Sequence, residues 1–379
     1  MTVDVTYCLS EWETYFTEKP LSFNEFVDTY QFKDNVYPHI LKTIDEISKQ
    51  PAKLEYFIQG FIGSGKSTLI NLLFAYKVYL YLILKSAQDF YKVSASTKLC
   101  AVFYTPNNKS ASFMVNSLMQ ILEGLPFFKK VRTLKECFDY KETAIYTTAY
   151  PDNILTFMKD DNVLHVISAK DESDIVGINP VIGLLTELDN VKQQGIPIES
   201  VFNFYQKLSW RIESRCCGKL SAIIVEKTPD NYYEDALDRY IHEIQKKDPS
   251  KMVIFYHYYW KAFSYKDPGR LLDSTFNITT CSVAEDSNSI LPGDNFIYFP
   301  SVFQGMDFLK LAREHPDMFL RNYIGMPVFI KRNSETFKVM KDIVNKIHKY
   351  NLEVCIKNGN AYLECPSEEL SICLSDYSD

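Results

Sequence analysis

Glycine is sparse in this sequence, 13 residues in 379, which excludes a fibrous or low-complexity chain. Positive charge is also short: 41 Lys and Arg against 48 Asp and Glu leave a net charge of −7. A protein whose main work is coating nucleic acid is therefore excluded, because neutralising phosphates needs a basic surface. A transient or local nucleic-acid contact is compatible with that balance. The nine cysteines include no Cys-x-x-Cys pair and no Cys/His array at zinc spacing, which argues against structural zinc. Cys216 and Cys217 are adjacent and poorly placed to bridge each other; reduced, mostly buried thiols in a cytosolic protein are expected. The N-terminal stretch MTVDVTYCLSEWETYF has neither the basic start nor the apolar run of a signal peptide. The longest apolar run, LINLLFAYKVYLYLIL at 69–84, contains Lys77 and falls short of the ~20 apolar residues of a membrane span. A buried helix is expected there, and no membrane partner.

Hydrophobic residues make up 46% of the chain and charged residues 23%, the balance of a globular protein with a sizeable core. LEYFIQG (54–60) reads as a short apolar strand, followed by the apolar helix from about residue 65. KLCAVFYTP (98–106) is a second strand, and KSASFMVNSLMQILEGL carries apolar residues at helical spacing. NILTFMKDDNVLHVIS (153–168) has two alternating segments around a turn-prone KDDN, the signature of a hairpin. PVIGLLTEL (180–188), KLSAIIVEKTP (219–229) and SKMVIFYHYYW are further strands, alternating with helices over SVFNFYQKLSWRIESR (200–215) and NYYEDALDRYIHEIQKK. Strands alternating with helices imply an α/β fold with a mostly parallel central sheet flanked by helices. The expected organisation is an N-terminal helical segment over 1–50, a core over 51–265, a small loop-rich, lid-like subdomain over 266–330 and a tail over 331–379.

The most informative stretch is IQGFIGSGKSTLIN at 58–71. Gly60-Phe-Ile-Gly63-Ser64-Gly65-Lys66-Ser67 fits G-x-x-x-x-G-K-[ST], the phosphate loop. Its glycines let backbone N–H groups turn onto phosphate oxygens, Lys66 reaches the β- and γ-phosphates, and the Ser67 hydroxyl is placed for Mg²⁺. Thr68 follows at the first turn of a helix whose positive end faces the same anion. The context strengthens the match, since an apolar strand precedes the loop and an apolar helix follows. ATP and Mg²⁺ are the implied cofactors. DIVG (174–177) matches the D-x-x-G of a GTPase, but no N-K-x-D follows. A nucleoside kinase would carry an arginine-rich lid within a shorter chain, and here no arginine precedes Arg132.

Hydrolysis needs a second acid at the end of a buried strand next to the loop strand, to hold Mg²⁺ through water and to aim the attacking water. VIGLLTELDN (181–190) is the segment of this kind. Either Thr186 supplies a hydroxyl near the metal with Glu187 as base, or Asp189 is the acid; the usual pattern is Asp followed by Glu, and Thr186 occupies the first place. Glu187 lies closer to the strand end and is preferred. An arginine that stabilises transition-state charge would come from the same or a neighbouring subunit, with Arg132, Arg211 and Arg215 as the candidates.

The order FIGSGKST, hairpin, SAKDESDIVGINPVIGLLTELDN, YQKLSWRIESR, GKLSAIIVEKTPDN resembles the ATPase domain of the large terminase subunit of tailed bacteriophages, over roughly residues 35–330. The resemblance implies a phosphate-loop NTPase of the RecA/ASCE type, a ring-forming motor that pumps double-stranded DNA into a capsid. It further implies that Thr228 senses the γ-phosphate, although the family more often has a Ser/Thr pair before the proline and the Glu226-Lys227 that precede Thr228 here depart from that, and that Tyr37 in YPHI stacks on the adenine. The implied partners are double-stranded DNA held transiently, the capsid portal protein and the small terminase subunit, in the cytoplasm of an infected bacterium at the procapsid portal. Terminases usually continue into a nuclease domain; LSICLSDYSD would suit its first strand, with Asp376 as first metal ligand, and no nuclease activity is expected from this chain. Two other readings stay open, a helicase-like translocase and a nucleotide-switched assembly protein that barely hydrolyses.

Overall fold

In the computed structural model of the chain, the described residues are 12–50, 53–61, 63–104, 108–130, 144–146, 153–186, 188, 198–216, 220–229, 235–257, 272–278, 281–284, 296–303, 305–326, 353–357, 360–364 and 371–373. Contacts divide the chain into two units, Met1–Val328 and Phe329–Asp379.

Strand β1, Glu55–Gly60, is buried at all six positions, as expected of a parallel strand covered on both faces. With it lie β2 (Leu99–Tyr104), β3 (Lys129–Lys130), β4 (Ala144–Tyr146), β5 (Asn153–Lys159), β6 (Asn162–Ala169), β7 (Asn179–Leu185), β8 (Ala222–Lys227) and β9 (Met252–His257). Among the described residues these form one nine-stranded sheet in the order β3-β4-β5-β6-β2-β7-β8-β1-β9. From β6 to β9 every pairing is parallel. The β5–β6 hairpin is antiparallel and turns at Asp160, whose φ is +51°, a left-handed conformation that Asp tolerates in turns. Fold class therefore agrees with the sequence reading: a mostly parallel α/β sheet flanked by helices.

The helices that matter for the site are α1 (Phe23–Asp28), α2 (Pro38–Lys49), α3 (Lys66–Leu82), α4 (Asn108–Glu123), α5 (Ile198–Arg215) and α6 (Ala236–Lys247). The pleat of the sheet sorts its side chains to two faces. Ile58, Phe103, Leu184 and Ile224 pack with α3, whereas Phe57, Val102, Leu185, Ile223 and Val225 pack with Phe204, Leu208 and Ile212 of α5 and Leu237 and Ile241 of α6. Helix α3 is apolar all round because it is enclosed all round. Its outer side is covered by α1, where Phe26 stacks on Tyr79 with centroids 5.1 Å apart and Phe23 on Tyr76 at 4.9 Å. Among the described residues no helix is long and apolar enough to cross a membrane.

Beyond β9, the loop-like stretch of the sequence contains short strands that its composition conceals. β10 (Ser274–Asn277) pairs antiparallel with β11 (Ser282–Ala284) and β12 (Phe296–Phe299), and β13 (Val302–Phe303) pairs with β14 (Met306–Asp307). Helix α7 (Phe308–Glu314) and a π-helical turn Phe319–Ile324 follow. Phe319 anchors this part: its ring lies 4.8 Å from Phe299 and 5.4 Å from Phe276. In the second unit, β15 (Glu353–Lys357), β16 (Asn360–Glu364) and β17 (Ser371–Cys373) form an antiparallel three-stranded sheet. Asp376 lies outside the described residues.

Candidate functional site

The segment with the phosphate-loop sequence pattern joins β1 to α3. Gly65 takes φ +80°, and a Cβ there would sit 2.9 Å from Cδ2 of Tyr37, so both the backbone and the space exclude a side chain. Gly60, Gly63 and Ser64 complete the turn; Ser64 is buried, and its carbonyl is 2.7 Å from Nε2 of the buried His39 on α2. The Tyr37 ring stacks on His39 with centroids 5.6 Å apart, and its edge faces Gly65. Tyr37 is half-buried and N-caps α2.

Lys66 is 6% exposed. Its ammonium donates to the carbonyls of Gly60 at 2.9 Å and Phe61 at 2.8 Å and reaches the Thr228 hydroxyl at 3.5 Å. The loop thus folds around the lysine's own charge. Ser67 is exposed, and its hydroxyl donates to Oε1 of Glu226 at 2.8 Å. Thr68 borders a cavity of about 530 Å³ lined by Tyr30, Phe32, Asn35, Val36 and Gln120, within the size range of small-molecule sites.

Strand β8 arrives beside the loop because it pairs directly with β1, with Ile58 opposite Glu226 and Gln59 opposite Lys227. The sequence reading puts the strand of Glu187 next to the loop strand; instead β8 intervenes between β1 and β7. The physical reason is the parallel sheet itself, in which sequence order does not fix neighbour order. Because Val225 faces α5 and α6, the pleat turns Glu226 and Thr228 toward α3 and Lys227 away from it. Both of the first two accordingly meet the phosphate loop. Lys227 points to the opposite face, where it is fully buried between Asp235 and Asp238 at the start of α6, 3.1 Å from Asp238 Oδ2. Burial works against its charge, but Asp238 and Asp235 outweigh that and hold its pKa above the usual lysine value. Gln59 of β1 donates to Asp238 Oδ1 at 2.8 Å, so the cluster ties the ends of β1 and β8 to α6 beneath the loop.

At the end of β7, Thr186 is 3% exposed. Leu185 faces α5, so Thr186 turns toward α3 and stands one residue beyond the Leu185–Val225 pair, level with Glu226. Glu187, Asp189 and Arg132 lie outside the described residues. Arg211 and Arg215 of α5 hold the other end of β7: Arg211 Nη1 donates to the Ile178 carbonyl at 3.2 Å, and Arg215 Nη1 to Asn179 Oδ1 at 2.5 Å. Within one chain, neither is brought to Lys66. Glu226 is the acid that sequence reasoning misses as a site residue, registering it only as a departure from a pattern. Its one signal is adjacency to Thr228, on a strand whose neighbour cannot be read from the sequence.

Among the described residues no group of three or more His, Cys, Asp or Glu side chains gathers as a metal cage. The donors at Ser67 are instead a hydroxyl and a carboxylate oxygen. That set fits Mg²⁺, which keeps most of its water and takes few protein ligands.

No family model matches the chain, and no curated protein sequence matches it. Solved structures similar to it include large terminases of bacteriophages. One from a thermophilic bacteriophage is 13% identical with a TM-score of 0.39, covering 60% of this chain and 47% of that one. The HK97 bacteriophage large terminase is 14% identical with a TM-score of 0.42, covering 80% and 55%. For the ATPase domain of the Thermus phage P74-26 large terminase the values are 9%, 0.36, 59% and 82%. The chain spans about half the length of the first two of these proteins.

Proposed function

We propose that the chain is a Mg²⁺-dependent ATPase that drives translocation of double-stranded viral DNA into a capsid, the motor part of a large terminase. The observation that carries the enzymatic half is the convergence at one end of the sheet of Lys66 and Ser67, which begin α3 after β1, with Glu226 and Thr228 at the end of β8, the strand that pairs directly with β1. A lysine ammonium in a turn of backbone amides recognises phosphate oxygens, and Thr228 beside it is placed to register whether the terminal phosphate is present. Tyr37 and the cavity next to Thr68 are the proposed place of the nucleoside. Ser67 would hold the cation, with Thr186 or Asp189 beside it; Thr186 lies toward α3 at the end of β7. When bound, Mg²⁺ supplies positive charge to the phosphate oxygens. Glu187 is the proposed residue for orienting water, with Asp189 the alternative. Arg132, Arg211 or Arg215 would complete the site from the same or, in a ring, a neighbouring subunit.

The DNA, the portal protein, the small subunit and the ring are proposed from the order of motifs along the chain. The acidic net charge of −7 restricts DNA contact to a local patch on this reading. Thr186, where an aspartate is usual, favours a second reading, a nucleotide switch with little turnover. Phosphate release by the purified chain, with and without linear double-stranded DNA, decides between them. DNA-stimulated turnover that Lys66→Ala abolishes is expected. Nucleotide binding with no turnover supports the switch, and no nucleotide binding at all overturns both. Dependence on a portal, rather than on single-stranded ends, separates packaging from unwinding.

A further inference from the structure

A phosphate-loop hydroxyl at the position of Ser67 shares its cation with a carboxylate supplied by another strand. The sequence points to β7 for that carboxylate, and there the chain has Thr186, a group that carries no charge. The described structure places a carboxylate one strand nearer: Glu226 on β8, which pairs directly with the loop strand, accepts the Ser67 hydroxyl's hydrogen bond at 2.8 Å. Thr186 stands level with it on the same face of the sheet. We propose that Glu226 is the acid that, together with Ser67, holds the nucleotide's divalent cation, the carboxylate having moved from β7 to the adjacent β8 while Thr186 keeps a neutral hydroxyl in its former place.

Three features support the assignment. First, the pleat leaves no freedom about direction: Val225 is committed to the α5 face and Lys227 to the Asp235–Asp238 cluster, so Glu226 is locked toward α3 and the loop. Second, Glu226 is half-buried, so water reaches it, as Mg²⁺ with a retained hydration shell requires. Third, Glu226 meets the loop at the Ser67 hydroxyl, the group that a phosphate loop devotes to the cation. The lysine of the loop is meanwhile held by the Gly60 and Phe61 carbonyls and reaches Thr228.

The proposal rests on the reading of this site as a nucleotide site, and the test separates the two. Binding of a fluorescent ADP analogue is titrated in EDTA and again across a MgCl₂ series, for the unaltered chain and for Glu226→Gln, Glu226→Asp and Ser67→Ala. The unaltered chain is expected to bind more tightly with Mg²⁺. Glu226→Gln should keep the affinity measured in EDTA within about twofold while the Mg²⁺ needed for the half-maximal gain rises on the order of tenfold. Glu226→Asp should recover part of that shift, and Ser67→Ala with Glu226→Gln should be no worse than the poorer single variant, because both act on one ion. An unchanged Mg²⁺ midpoint in Glu226→Gln overturns the proposal and leaves the nucleotide reading standing. Loss of EDTA affinity equal to the loss in Mg²⁺ also overturns it, assigning Glu226 to the shape of the loop. Failure of the unaltered chain to bind the analogue in either condition overturns both. Circular dichroism of each variant, matching the unaltered spectrum, identifies the folded proteins to which these comparisons apply; Glu226→Asp supplies the comparison if the glutamine variant does not fold.

Discussion

The Thr228 hydroxyl lies 3.5 Å from the Lys66 ammonium across 162 residues of sequence. This closeness follows from β8 pairing with β1 and from a pleat that turns Thr228 toward α3. Lys66→Ala removes the charge at the centre of the loop and should lower ATP turnover by about 10²–10³-fold or more. Thr228→Ala should leave nucleotide affinity near that of the unaltered chain and lower turnover, while Thr228→Ser retains it. Steady-state phosphate release and equilibrium nucleotide binding, measured on the same preparations, check the split. Equal loss of affinity and turnover in Thr228→Ala would assign the threonine to binding alone.

Lys227 should matter for stability more than its neighbours on β8. It is 4% exposed, and Asp235 and Asp238 beside it are fully enclosed. Lys227→Met leaves two carboxylates buried together with their cation gone, a change that costs roughly 3–5 kcal/mol. Urea unfolding at neutral pH should show a lower midpoint with little change in slope. Added loss of nucleotide affinity is expected, because Gln59 and Lys227 face each other at the ends of the two strands that carry the loop and Thr228.

Much of this arrangement is legible in the sequence, and the part that is not has a common cause. The loop between β1 and α3, the hairpin Asn153–Ala169 and the buried strands announce themselves through local pattern, because alternation and turn chemistry act over a few residues. Pairing between strands distant in sequence leaves no local mark. So β8 can be seen as a strand, yet not as the neighbour of β1, and Glu226 reads as a departure from a family pattern rather than as a partner of Ser67. The same holds for β10 and β12, short strands that pair across a long connection and carry too few residues for a period to show. Tyr37 stands out by position; that its ring lies against His39 and Gly65 depends on how α2 docks on the loop.

Glu55 gives the fold a dependence on pH that can be read by difference. It is fully buried, its Oε1 accepts from Ser209 at 3.0 Å, and Lys251 lies 3.4 Å away. Burial raises its pKa above the usual 4.5, with Lys251 and the hydrogen bonds opposing without reversing the shift. The folded state therefore holds this proton more tightly than the unfolded state. Its contribution to stability is fully present below about pH 4.5 and is lost as pH rises through the folded value. Glu55→Gln should remove that decline, so the difference in urea midpoint between the variant and the unaltered chain should grow in the variant's favour from about pH 4.5 upward. Asp171 and Asp248, whose pKa values are lowered chiefly by hydrogen bonds from Ser173 and Ser250, lose stability toward acid in both proteins alike and cancel from the comparison.

Gly325 links the region after β9 to the phosphate loop. It ends the π-helical turn at Phe319–Ile324 with φ +74°, and a Cβ on it would lie 2.7 Å from Cα of Gly60 and 3.0 Å from the Phe61 nitrogen. Backbone meets backbone there, so no side-chain rotation can make room. Gly325→Ala should destabilise the chain by roughly 1–3 kcal/mol through the strained backbone alone. It should also push against Gly60 and Phe61, whose carbonyls hold Lys66, and so weaken nucleotide binding at a residue far from the loop in sequence. A substitution at the exposed Asn322 tests the same turn without the contact: Asn322→Ser should leave binding unchanged. Titration of a fluorescent ADP analogue into both variants at a temperature where each is folded makes the comparison. Unaltered affinity in Gly325→Ala would mean that the loop yields to the methyl group, and that the contact between Gly325 and Gly60 is packing with no hold on Lys66.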